Sequence, residues 1–318
     1  MDISALWAGL AYPLLRLLAL ISLGLFIGNM IEALNWTKGV GRLTAPLVRL
    51  GRLRDVSSAS FSMAFFSGAA ANTMLSESYD KGEISTKELI LSNLFNSLPT
   101  YFLHLPTIFL IALPFLGRAA FVYLGLTLFS AFLRTFFIVM LGRFTLPKHD
   151  ECCTLELLDK EKSKGFRAAL EKSWKRFKKR IKTILIFTVP IYIAIFFLNR
   201  YGLFKELQNF LSQHLTFLSF LSPEALGIVV FHVAAEFTAG LAVAGALLQN
   251  CCVEPREIIL ALILGNILSS PMRAFRHQFP FYAGIFKPAM AMKLIVYSQS
   301  LRAASLALVG TGYYFLSG

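Results

Sequence analysis

The chain has 318 residues, 56% of them hydrophobic and only 15% charged, with a mean hydropathy of +0.63. That composition excludes an ordinary soluble domain. The formal net charge of +13 does not restore a nucleic-acid partner, because no basic groove with interleaved stacking aromatics can be read.

Apolar runs at residues 12–31, 120–140, 183–199, 223–248 and 289–316 each approach the roughly 20 residues that a helix needs to cross about 30 Å of hydrocarbon. No strand alternation suggests a barrel, so helices are expected. The first run follows MDISALWAGLAY, which has neither a basic n-region nor a small-residue cleavage pattern, and it is expected to be retained. Arg42, Arg49, Arg52 and Arg54 come next and should face the cytoplasm.

A further apolar stretch, 56–78, carries SGAAAN, a small-residue face ending at Asn72. It leads to STKELILSNLFNSLPTYFLHLP at 85–106. There Lys87 and Glu88 open a short helix, Asn93, Asn96 and Ser97 precede Pro99, and Thr100 and His104 lie ahead of Pro106. A helix of about eleven residues is only about 16 Å long at 1.5 Å per residue, too short to span. The proline should stop it, which predicts a re-entrant hairpin whose non-helical tip faces protein or water.

The run at 120–140 contains SAFLR and is followed by a strongly basic stretch, 148–182. Within that stretch Phe166, Leu170, Trp174 and Phe177 recur at helical spacing among lysines and arginines. The pattern predicts an amphipathic helix lying on the inner membrane surface, against membrane lipids. Cys152 and Cys153, like Cys251 and Cys252, are adjacent pairs that cannot form ordinary disulfides within a pair and lack zinc-site spacing. Reduced thiols are the plain reading, and palmitoylation near a membrane boundary is the alternative. No metal site and no cofactor motif is expected.

The plan of 85–106 returns at 254–280, EPREIILALILGNILSSPMRAFRHQFP. Arg256 and Glu257 open the helix, Asn266 and Ser270 precede Pro271, and His277 precedes Pro280. SAFLR at 130–134 likewise returns as SQSLR at 298–302, which places Arg134 and Arg302 equivalently. With small insertions between anchors, the chain reads as a first membrane repeat at 1–145, a basic amphipathic cytoplasmic linker at 146–180 and a second repeat at 181–318. The basic stretches set the orientation: linker inside, both termini outside, in an inner or plasma membrane. The expected fold is an all-α polytopic membrane protein of two inverted-topology repeats, each with long transmembrane helices and a short re-entrant helical hairpin.

The SGAAAN segment, SNLFNSLPTYFLHLP and GNILSSPMRAFRHQFPFY together resemble the Gate, or nucleoside-recognition, domain of the membrane part of bacterial ferrous-iron permeases. The resemblance covers most of the chain outside the linker and implies a transport-like scaffold. The permeases place a cysteine in these signatures, where this chain has Ser97, Ser269 and Ser270, so thiolate ligation of a metal is in doubt. No GxxxxGK[ST] loop occurs.

Charges inside membrane helices are costly, so those retained point to function or to a buried pair. Glu236 lies four residues after His232, on the same helix face, and suits a coupling cation or a polar substrate, or else a structural His-Glu or Glu-Arg contact. Arg273, Arg276 and His277 sit at the expected second hairpin tip, where guanidiniums could neutralise Glu236, clasp an anionic ligand, or follow the positive-inside rule. Asn72, Asn93, Asn96, Ser97, Asn266 and Ser270 suit a hydroxyl-rich substrate or cation, or the satisfaction of unwound backbone. Small-residue faces at 68–71 and 239–245 allow close helix packing, within one chain or in a homo-oligomer.

The expected function is a transporter or permease for a small polar or anionic solute, working by alternating access. A non-transporting partner in a membrane complex is the alternative. An enzyme is not expected, since neither HExxH nor GxSxG is present.

Overall fold

The computed structural model describes residues 46–147, 166–201, 221–249 and 253–317, with scattered positions before residue 27 and at 206. Most of the 12–31 run, Arg42, the linker before residue 166 and all four cysteines lie outside the described residues. Every described element is a helix: α1 Asp55–Ala64, α2 Gly68–Asp80, α3 Thr86–Phe95, α4 Ser97–Leu116, α5 Ala119–Thr145, α6 Phe166–Arg200, α7 Pro223–Gln249, α8 Pro255–Arg273, α9 Phe279–Phe286 and α10 Pro288–Leu316. A short helical turn precedes them at Ile3–Leu6 and Trp7–Ala11, and a π-helical turn, Ala274–Gln278, joins α8 to α9.

Local chemistry sets the helix starts. Ser67 caps α2 by accepting from the Ala70 N–H, and Ser85 caps α3 by accepting from the Glu88 N–H, each at 3.2 Å. Proline opens α8 at its first turn, where its missing N–H is not needed. Gly117, with φ +53°, makes the turn between α4 and α5.

Two described helices are long and apolar enough to cross a membrane: α5, with 27 residues, and the run Pro255–Phe286, with 32. A third span is formed if the bent pair Thr86–Pro106 and Ile108–Leu116 counts as one. Along α5 the side chains of Phe121, Phe129, Phe136 and Phe144 are exposed, as suits a lipid-facing surface.

Three expectations change. The helix begun at Thr86 does not turn back at Pro99; only Asn96 separates α3 from α4, and a 54° bend comes at the break after Pro106. The second short helix does not stop at Pro271 either. It runs through the proline into the π turn and α9, so Arg273, Arg276 and His277 lie in mid-helix rather than at a hairpin tip. A proline deletes one backbone hydrogen bond without ending a helix whose neighbours hold it in place, and the wider π turn absorbs the irregularity. Finally, α6 is continuous over 35 residues, about 52 Å at 1.5 Å per residue, so the basic amphipathic stretch and the apolar run after it are one helix.

The chain forms two compact units that interleave its halves. The first comprises Met1–Leu103, Thr135–Ala194 and Gln278–Tyr297; the second comprises His104–Arg134, Ile195–His277 and Ser298–Gly318. The first unit's core packs Leu75, Ile84 and Leu89 against Ile285, Phe286 and Leu294. In the second unit α7 lies along α8, and Tyr123, Leu241, Ile258, Leu262 and Leu306 are among the buried core. Gly245 brings α7 so close to α4 that an added Cβ would lie 2.9 Å from the Phe115 carbonyl.

Candidate functional site

Among the described residues, each compact unit holds a buried polar cluster with asparagine at its centre, and the chemistry of the two differs. In the first unit, Asn93 on α3 donates from Nδ2 to Oδ1 of Asn72 on α2 at 2.8 Å. The hydroxyl of Tyr282 on α9 is hydrogen-bonded to both asparagines. One turn further along, Asn96 donates to Ser60 Oγ, which in turn donates to the Ala71 carbonyl at 3.2 Å. Asn96 Oδ1 is buried with no hydrogen-bond partner among the described residues. Ser57 and Ser92 close the cluster at 2.6 Å. The groups named here are amides and hydroxyls, without formal charge.

In the second unit the focus is Asn266 on α8, and the groups around it are cationic. Its Oδ1 accepts from Nη2 of Arg273 at 3.0 Å and from Nη2 of Arg302 at 2.9 Å, while its Nδ2 donates to the Tyr123 hydroxyl at 3.1 Å. Arg273 comes back to Asn266 from seven residues along, two turns of the same helix face, and Arg302 reaches in from α10. Ser270 donates to Gln299, also on α10. Two positive groups sharing one neutral oxygen make Asn266 the hub of the cluster.

Beside this hub lies His232, fully buried on α7. Neither ring nitrogen has a hydrogen-bond partner among the described residues. The charges of Arg273 and Arg302 act on the ring, and Phe237 packs beside it at 5.5 Å between centroids. Two glycines make room for it: a Cβ on Gly265 would lie 2.7 Å from His232 Nδ1, and one on Gly240 would lie 2.9 Å from His232 Cβ. A small, partly open recess of about 10 Å³, room for about one water, lies here, lined by His232, Val233, Phe237, Ser269, Met272, Arg273 and Arg276.

The residues singled out from sequence therefore fall into separate groups. Asn72 and Asn93 come together; Asn266, Arg273, Arg276 and His232 come together; Ser270 lies at the α8–α10 contact. Ser97 is only partly buried in the first turn of α4, and His104 and His277 are exposed. The backbone of Glu236 lies on α7, one turn from His232, but its side chain is outside the described residues. Tyr123, Tyr282 and Gln299 join the clusters without having been singled out. Inside apolar runs, a tyrosine that bonds an amide reads the same as one that faces headgroups. No group of three or more His, Cys, Asp or Glu able to hold a metal occurs among the described residues.

The chain is similar along nearly its whole length to three uncharacterised proteins of Methanocaldococcus jannaschii. Identities are 24% over 92% of this chain and 90% of the relative, 26% over 91% of each, and 23% over 91% of this chain and 93% of the relative. No family model and no solved structure matches the chain.

Proposed function

We propose that this chain is an integral membrane transporter of the Gate type, moving a small polar or ionic solute by alternating access. One observation carries the reading: in a protein whose helices are apolar enough for lipid, each compact unit buries a polar cluster at an irregular helix. One cluster lies at the α3–α4 interruption and the other on the helix that widens into a π turn. Buried polar groups in membrane helices are costly to keep, and breaks in such helices are where transporters place their solute and ion sites. The helix-opening pairs Lys87-Glu88 and Arg256-Glu257 and the recurring Arg134 and Arg302 support inverted repeats at 1–145 and 181–318 around a cytoplasmic linker, with both termini outside.

A second reading is favoured by the mutual bonding of three residues in the first cluster. Asn72, Asn93 and Tyr282 satisfy one another, as expected of a non-transporting partner in a membrane complex that retains the fold. Thermal unfolding of the detergent-purified chain against nucleosides, divalent cations and small anions, followed by flux of any stabilising solute into proteoliposomes, separates the two. Transport predicts a solute that both stabilises and crosses, with flux lost in Glu236→Gln or Arg273→Ala. Stabilisation without flux, or no stabilisation with both variants merely less stable, assigns the chain to the membrane complex. A ligand at about a hundred times its dissociation constant stabilises by roughly 2.7 kcal/mol, which such a scan resolves.

A further inference from the structure

We infer that the recess between His232 and the π turn of the second unit binds the charged group of a small oxyanion, a carboxylate or a phosphate. This deepens the transport reading and rests on it for its biological role. The argument starts from His232. Its ring is fully buried, and both nitrogens are unsatisfied among the described residues. A buried group of this kind is costly unless something bonds to it, and nothing forces the ring into place. On the contrary, two glycines, Gly240 on its own helix and Gly265 on the facing one, keep open the space that it fills. Among the described residues, the packing is built around a polar ring that carries no bonding partner.

The rest of the lining says what that partner is. Arg273 and Arg276 come from consecutive turns of the α8–π segment, and Ser269 adds a hydroxyl whose own bond, to the Asn266 carbonyl, is long at 3.4 Å. A planar guanidinium fits two oxygens of one carboxylate or phosphate, and charge-assisted bonds of this kind are the strong ones. Asn266 anchors Arg273 through Nη2, which fixes the guanidinium before a ligand arrives. The π turn places Arg276 on the same recess as Arg273, three residues earlier, a use of π irregularity common at functional sites. Val233, Phe237 and Met272 complete the lining with apolar surface. The Asn72–Asn93–Tyr282 cluster of the first unit presents amides and a phenol, without the guanidiniums that make the second cluster suited to an oxyanion.

The test is a thermal-unfolding titration of the full purified chain with sodium formate and with sodium phosphate. It compares wild type with His232→Asn, Arg276→Gln and Arg256→Gln. Arg256 is a control of equal charge loss, because it bonds Ser317 and Tyr314 away from the recess. Arg276 is only partly buried, so Arg276→Gln keeps the test valid if His232→Asn does not fold. The expected result is a saturable rise in Tm in wild type and Arg256→Gln, with the half-saturating concentration raised about tenfold or more in the other two. An equal rise in all four proteins, or no saturable rise in wild type, overturns the inference. A shift produced only by cations or uncharged nucleosides also overturns it, while leaving a transporter of a different solute in place. Saturable anion binding without flux in proteoliposomes does the reverse, keeping the site and removing transport.

Discussion

Glu88 and Glu257 perform the same task in the two halves of the chain. Each accepts the backbone N–H of the residue that opens an earlier helix: Arg54 for Glu88, 34 positions back at 2.9 Å, and Ser222 for Glu257, 35 positions back. Glu88 also meets the Arg54 side chain at 3.5 Å. Truncation to alanine at either site leaves an orphaned helix-start donor and is expected to cost about 1–3 kcal/mol. Glutamine keeps an accepting oxygen and should retain most of that stability. Denaturant or thermal unfolding in detergent checks both; if alanine is harmless, or glutamine as damaging as alanine, the shared capping role is wrong.

The Asn72–Asn93 bond is buried and shares Tyr282, so the asparagines should be energetically coupled. Asn93→Ala strands both partners, and so does Asn72→Ala. The double variant should therefore lose less than the sum of the singles, with a coupling of about 0.5–3 kcal/mol. Additive losses would show that the bond contributes nothing beyond packing.

Asn266 offers one neutral oxygen to two guanidiniums. Asn266→Asp supplies a carboxylate in its place, and the Tyr123 hydroxyl can donate to it. Stability is expected to hold or rise, whereas Asn266→Leu should cost about 1–3 kcal/mol through loss of the three hydrogen bonds that the amide makes. The new negative charge beside the recess should also weaken the formate response. An aspartate variant less stable than the leucine one contradicts this picture of the hub.

Gly265 and Gly227 are both helical, but their surroundings differ. A Cβ on Gly265 meets the His232 ring at 2.7 Å, whereas nothing lies within 4 Å of one on Gly227. Gly265→Ala should lower stability by about 1–3 kcal/mol as the ring is pushed into the recess. Gly227→Ala should raise it by up to about 1 kcal/mol, from helix propensity alone. Unfolding of the two variants side by side reads the opposite signs.

The repeated Lys-Glu and Arg-Glu pairs were legible in sequence because capping glutamates stand at fixed places before an apolar run. Their acceptor role was not, since the donors lie more than thirty residues away. Pairing Asn93 with Asn266 required insertions: counted residue by residue from the two glutamates, Asn266 stands level with Ser97, and Asn93 with Leu262. The proline-stop reading failed at Pro271 because tertiary packing outweighs one lost hydrogen bond. His232 was singled out for its spacing from Glu236, yet what distinguishes it among the described residues is a buried ring packed against Gly240 and Gly265. Only the packing of α7 on α8 discloses that.

The interleaving of the two units has a consequence for how the protein is made. The hydroxyl of Ser76 donates to the Ile285 carbonyl, 209 positions later, and the same core awaits Phe286 and Leu294. A ribosome that has released the first 145 residues has thus delivered neither unit whole. The first unit's core stays open until almost the entire polypeptide has emerged, and the last segments of the chain close the core opened by its first.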